Sequence, residues 1–173
     1  MSYTMARLRY FLIGLCLAML PWYASAAPAR ASLRQPPPVK ALVANFYYNN
    51  LAVAKKWYVQ ELGFPVIYDD QWVVIVEVGK GMQIALVDAH KGALKAVKDK
   101  GAMLAIETDE LQQWYDYVKA IKGITWYPYN GEDPQHFQHG IRDHGDYQEF
   151  RVLDPGGYII EFYRWKPGAI QKG

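Results

Sequence analysis

The sequence predicts an α+β fold in which one strand–helix–strand–strand–strand unit (βαβββ) occurs twice. Three observations carry this. Short runs of β-branched and aromatic residues alternate with Gly, Asp and Asn turns. Two segments, Leu51 to Leu62 and Leu111 to Ile121, have apolar residues at helical spacing. Placing Leu51 on Leu111 also brings Val43 onto Met103 and lays one order of elements over both halves. Residue identity between the halves is low, so the repeat rests on order and spacing.

The chain has 173 residues, and its beginning reads as a processing segment. Arg7 and Arg9 precede the apolar run Tyr10 to Tyr23, and Ala24-Ser25-Ala26 is a small-x-small cleavage site before Ala27. This is the pattern of a secretory signal peptide over residues 1–26. The run is shorter than the roughly 20 apolar residues a membrane span needs. Leu15 before Cys16 is not the small residue of a lipoprotein-type site. The single cysteine leaves with the signal, so no disulfide is expected. Removing Arg7 and Arg9 from the 19 basic residues leaves 17, against 17 acidic ones. A neutral chain without a basic run offers no electrostatic footprint for nucleic acid. The expectation is a periplasmic or secreted protein with no membrane attachment after cleavage. Residues 27–40, with Pro36-Pro37-Pro38, read as an extended linker. The folded domain is expected over 41–166, with units at 41–88 and 102–165 and a tail at 167–173.

Each element has its own warrant. Leu42 to Tyr48 (LVANFYY) is a strand by composition, and Asn49-Asn50 can cap the helix that follows. Leu51, Ala54, Tyr58 and Leu62 share one helical face, with Trp57 at its edge, and Gly63 stops the helix. Three strands follow, at Pro65 to Asp69, Trp72 to Val78 and Met82 to Val87. In the second unit Ala102 to Glu107 is the strand and Asp109 the expected cap. Leu111, Trp114, Tyr115, Val118 and Ile121 form the helical face, and Gly123 ends it. Strands are then predicted at Thr125 to Tyr129, Tyr147 to Leu153 and Tyr158 to Trp165. Between the first two lies Asn130 to Asp146, polar and without period, read as a functional or lid-like loop. His136, His139 and His144 lie in it with Asp143 and Asp146. Without cysteine or regular structure, a solvated loop is favoured there over a metal site. His90 reads as a surface residue.

Two stretches carry a family resemblance. "NNLAVAKKWYVQELGFPV" resembles the first helix and turn of the glyoxalase/bleomycin-resistance/extradiol-dioxygenase proteins, the vicinal oxygen chelate superfamily, and "FRVLDPGGYIIEFY" resembles their closing hairpin. The resemblance covers roughly Val39 to Trp165. It implies that the two units form a curled mixed sheet around a central cavity. It also implies that four strand positions facing the cavity hold a metal in the metal-dependent members. Those positions fall on Val43, Ala85, Met103 and Glu161. Of these only Glu161 is a competent ligand, since Val and Ala have no donor and a Met thioether suits soft metals. The resemblance therefore implies no metal and no cofactor here. Homodimers are common in the family, while the residues leave the oligomeric state open.

Strand parity then defines the cavity face. With Val43 and Glu161 inward, Asn45, Tyr47, Gln83, Ala85, Met103, Glu161 and Tyr163 are the expected ligand-binding residues. Glu161 and Glu107 are the expected catalytic residues, either one the general base, of an alternative, enzymatic reading. The opposite parity (Phe46, Ile84, Leu86, Leu104, Ile106, Ile160, Phe162) is uniformly apolar and reads as core. No Lys or Arg falls on the cavity positions named. Two uncompensated acids beside tyrosines predict a small organic ligand, cationic or aromatic. Three functions are consistent with this pattern: a binding protein that sequesters the ligand; an enzyme of the kinds the resemblance implies (lyase, isomerase or dioxygenase-like), metal-free with Glu161 or Glu107 as base or metal-dependent if the ligand positions fall elsewhere; and a protein whose cavity is filled by its own side chains. The pattern favours binding.

Overall fold

The computed structural model describes residues 37–128, 132–133 and 139–169. The signal segment, most of the linker, Tyr129, His136 and part of the predicted loop lie outside the described residues.

The first unit is β1 (Leu42–Tyr48), α1 (Leu51–Lys55), then β2 (Val66–Asp69), β3 (Val73–Gly79) and β4 (Met82–Asp88). The second is β5 (Met103–Glu107), α2 (Leu111–Lys119), β6 (Thr125–Trp126), β7 (Arg142–Asp143), β8 (Tyr147–Leu153) and β9 (Ile159–Trp165). In each unit the first strand lies parallel to the last, and the others follow antiparallel. The orders are β1-β4-β3-β2 and β5-β9-β8-β6, with β7 also paired to β8. The repeat expected from the sequence is thus present in both topology and register.

Three local predictions need correction. The first helix does not stay α-helical. After Lys55 it widens into a π-helix over Lys56–Glu61, closed by Leu62 N–H donating to Trp57 C=O at 2.9 Å. The extra residue per turn lets two sequence neighbours, Trp57 and Tyr58, be buried together. The cap of α2 is Glu110 rather than Asp109, and Thr108 Oγ1 accepts from Glu110 N–H at 3.1 Å. The loop before β8 is also less irregular than expected. Arg142–Asp143 pairs with Glu149 and Gln148, because β8 offers an open edge beyond the two-residue β6.

The core lies on the helix side of both sheets. Phe46, Ile84, Leu86, Phe150, Val152, Ile160 and Phe162 are all buried there with Tyr58, Leu111 and Val118. Full burial of each large side chain contributes about 1.5–3 kcal/mol. Rings tie the units together: Phe46 stacks on Tyr158 at 4.1 Å, and Phe64 packs against Trp114 at 6.0 Å.

The Asp154-Pro155-Gly156-Gly157 turn fixes how the second hairpin meets the first unit. Asp154 Oδ1 accepts from the N–H groups of Gly156 and Tyr158, both at 2.8 Å. Its Oδ2 accepts from the hydroxyls of Tyr48 at 2.5 Å and Tyr58 at 3.0 Å. Burial raises the Asp154 pKa, opposed by these hydrogen bonds. Burial likewise holds both tyrosines well above their usual range. Gly156 is required by space, since a Cβ there would lie 2.6 Å from the Tyr48 ring. Gly157 is required by conformation, at φ 86°.

Candidate functional site

Register shows which side chains share the faces away from the helices. In the first unit Val43 faces Gln83, Asn45 faces Ala85 and Tyr47 faces Val87. On the neighbouring strand Val73, Ile75 and Glu77 face Val87, Ala85 and Gln83. In the second unit Met103 faces Ile159, Ala105 faces Glu161 and Glu107 faces Tyr163. Arg151 and Glu149 on β8 face Glu161 and Tyr163. The parity argued from the sequence therefore holds in both sheets.

These residues divide between two clefts and an ionic cluster. One cleft of about 450 Å³ lies between the units, along β1 and β5, which share no ladder. Its polar lining is Gln83, Glu107 and Tyr163, set among apolar residues such as Leu42, Val78 and Ile106. The Tyr163 hydroxyl donates to Glu107 Oε2 at 3.2 Å. Burial, then the Glu107 charge, raises the Tyr163 pKa. Of the ligand-binding residues expected from the sequence, Gln83 and Tyr163 line this cleft. Tyr47 lines a separate cleft of about 340 Å³ with Asn49, Asn50, Lys98 and Lys100. Asn45, Ala85, Met103 and Glu161 line neither. Asn45 is exposed, Ala85 is buried, and Met103 is 41% exposed.

Glu161 belongs to a cluster that was not among the site residues expected from the sequence. Arg151 Nε donates to Glu161 Oε2 at 2.6 Å and lies 2.8 Å from Glu149 Oε2. His144 Nε2 is 2.8 Å from Glu149 Oε1. Glu149 is fully buried, and neither of its oxygens has an aligned hydrogen bond, so its pairing is Coulombic rather than directional. Burial pushes the Glu161 pKa up to about 7, reinforced by Glu149 and opposed by Arg151. The expectation of two uncompensated acids is thereby corrected. Glu161 has a guanidinium partner one strand away. Its signal was present in the sequence: alternation along Tyr147 to Leu153 puts Glu149 and Arg151 on the face of Glu161. His144 could not have been placed, because its position depends on the β7–β8 pairing.

The metal positions implied by the resemblance do not fit a metal. Val43, Ala85 and Met103 supply no nitrogen or oxygen donor, and the Glu161 carboxylate holds Arg151. Among the described residues, no group of three or more His, Asp or Glu side chains is arranged to hold a metal ion. His90, in line with its surface reading, is exposed and paired with Asp88.

Residues 41–162 match the sequence profile of the Glyoxalase/Bleomycin resistance protein/Dioxygenase superfamily. The chain belongs to this superfamily. None of the curated proteins matches it. Solved structures of the same fold include a glyoxalase/bleomycin resistance protein/dioxygenase from Nocardioides. That structure has 19% identity and TM-score 0.58, with 79% of this chain and 89% of that one covered. A lactoylglutathione lyase from Agrobacterium tumefaciens is similar at 16% identity and TM-score 0.56, with 74% and 95% covered. TnmS3, an antibiotic binding protein from Streptomyces sp. CB03234, is similar at 16% identity and TM-score 0.57, with 76% and 100% covered. At these identities the likeness carries the fold, and the superfamily fold hosts both binding and catalysis.

Proposed function

We propose that this superfamily member is exported and binds a small organic molecule in the cleft between its units, without a metal and without turnover. The cleft is the observation that carries the reading. Its volume of about 450 Å³ and its apolar walls with three polar groups suit a small-molecule site. The antibiotic-binding neighbour supports binding as a use of this fold, and the signal pattern of residues 1–26 supports export. The ligand class that fits has an aromatic or apolar body and a cationic or donor group directed at Glu107, whose carboxylate accepts from Tyr163 alone among the described residues.

Thermal-shift screening of the processed protein against aromatic amines tests this reading. A ligand using the cleft is expected to lose about tenfold or more in affinity in Glu107→Gln, the value of one charge-assisted hydrogen bond. Tyr163→Phe should lose less. Binding unchanged in both variants would place the ligand elsewhere and sink the reading.

A second reading rests on one observation. The Glu161 pKa of about 7 suits a general acid or base working near neutrality. Turnover of a bound ligand that Glu161→Gln abolishes would favour that metal-free enzyme over a binding protein.

A further inference from the structure

We propose that the cleft at the C-terminal end of β1 is a second binding site, and that it takes a small organic anion: a carboxylate or a phosphate monoester carried on an apolar body. The inference does not rest on ligand binding in the cleft along β1 and β5.

The charge begins in the sequence. Lys91 to Gly101, in the segment joining the two units, has four lysines and one acid, Asp99. The fold then sorts them. Lys98 and Lys100 line the cleft with Tyr47, Asn50, Val53 and Val97, while Lys91, Lys95 and Asp99 do not. Among the described residues the lining holds no Asp or Glu. No ion pair among the described residues includes Lys98 or Lys100. Two positive charges on one concave surface without an acid favour an anion there.

Lys100 is held in place by the aromatic core. Its Nζ lies 4.4 Å from the centre of the Tyr158 ring. That ring stacks on Phe46, and its hydroxyl accepts from Tyr47 N–H at 3.0 Å. An ammonium has three N–H donors, and the ring covers one side of it, so donors remain for a ligand. Asn50 adds to them. Its Oδ1 accepts from Val53 N–H at 3.2 Å, which leaves the amide NH₂ as the end that can donate. The nearest buried acid, Asp154, stays outside the lining, with its carboxylate already accepting from two tyrosine hydroxyls and two backbone N–H groups. Tyr47, Val53 and Val97 supply the apolar wall. The volume of about 340 Å³ suits a body of roughly one ring.

Calorimetric titration of the protein with benzoate and with phenyl phosphate tests the proposal and separates the two head groups. At least one should bind. Lys98→Gln with Lys100→Gln should weaken it by about tenfold or more, the scale for losing hydrogen bonds to a charged group. Lys98→Gln alone should show part of that loss, with the Lys100–Tyr158 contact intact. Lys91→Gln with Lys95→Gln removes the same charge from the same segment outside the cleft and should leave affinity unchanged. Glu107→Gln, in the other cleft, should not weaken it. Failure of both anions to bind overturns the proposal, as does binding that survives the loss of Lys98 and Lys100. Equal weakening by Lys91→Gln with Lys95→Gln overturns it too, because the attraction would then belong to the basic segment rather than to the cleft. Weakening by Glu107→Gln would put the anion in the other cleft, with the same consequence.

Discussion

The two units share topology and register, yet their faces away from the helices differ in kind. The first has Val73, Ile75 and Ala85 in a row across β3 and β4. The second has Glu149, Arg151 and Glu161 at the equivalent places on β8 and β9. A repeat of strands and helices thus carries no repeat of chemistry. The core side must match in both units, because both helices need an apolar face to cover. The other face is free to differ: it is apolar at Val73, Ile75 and Ala85 and ionic at Glu149, Arg151 and Glu161.

The largest expected effect comes from breaking the ionic row without replacing it. Arg151→Met leaves two carboxylates with no guanidinium between them and should cost roughly 3–5 kcal/mol, the scale for orphaning a buried charge. The matching change Ile75→Met should cost less than about 1.5 kcal/mol. Copying the first unit outright, with Glu149→Val, Arg151→Ile and Glu161→Ala together, should return most of that loss, since apolar replacement of a buried ionic set is often neutral or stabilising. Urea unfolding of the four proteins measures this. A triple variant as unstable as Arg151→Met would show that the row serves packing rather than charge.

The hairpin turns form a second contrast. The β3–β4 turn, Gly79-Lys80-Gly81, joins neighbouring strands, while the β8–β9 turn reaches into the other unit through Asp154. Asp154→Ala leaves the Tyr48 and Tyr58 hydroxyls and two backbone N–H groups without their acceptor. The expected loss is about 2–4 kcal/mol from unsatisfied buried donors. Lys80→Ala, on an exposed loop, should stay within about 0.5 kcal/mol. Equal losses at the two turns, read by thermal unfolding, would remove the special role given to Asp154.

The smallest effect is a pH dependence confined to the second unit. A carboxyl whose folded pKa is raised favours the fold when protonated. The Glu161 contribution is therefore fully present below about pH 4.5, its ordinary value, and is lost as pH rises through about 7. Its size is at most about 3 kcal/mol, less whatever solvent screening removes. Melting temperature of the wild type should fall across this window, and Glu161→Gln should flatten that part of the profile. Gln83→Ala in the first unit should leave it unchanged. A Glu161→Gln profile parallel to the wild type would contradict the raised pKa.

The amino-acid sequence by itself determined the repeat, every strand but β7, and the face each strand buries. These follow from short-range rules: period two in strands, helical spacing on one face, and Gly where a turn needs it. The apolar parity of Phe46, Ile84, Leu86, Ile160 and Phe162 was legible for that reason, and so was the position of Glu161 on the opposite face. The tertiary structure alone decided what Glu161 does there. Its partners sit 10 and 12 positions away in Arg151 and Glu149, and on a third segment in His144. Burial and ion pairing depend on which strands lie side by side, a through-space property that no single stretch of sequence contains. The π-helix after Lys55 and the hold of Asp154 on two tyrosines of the other unit were hidden in the same way. Each depends on packing against a partner distant in sequence.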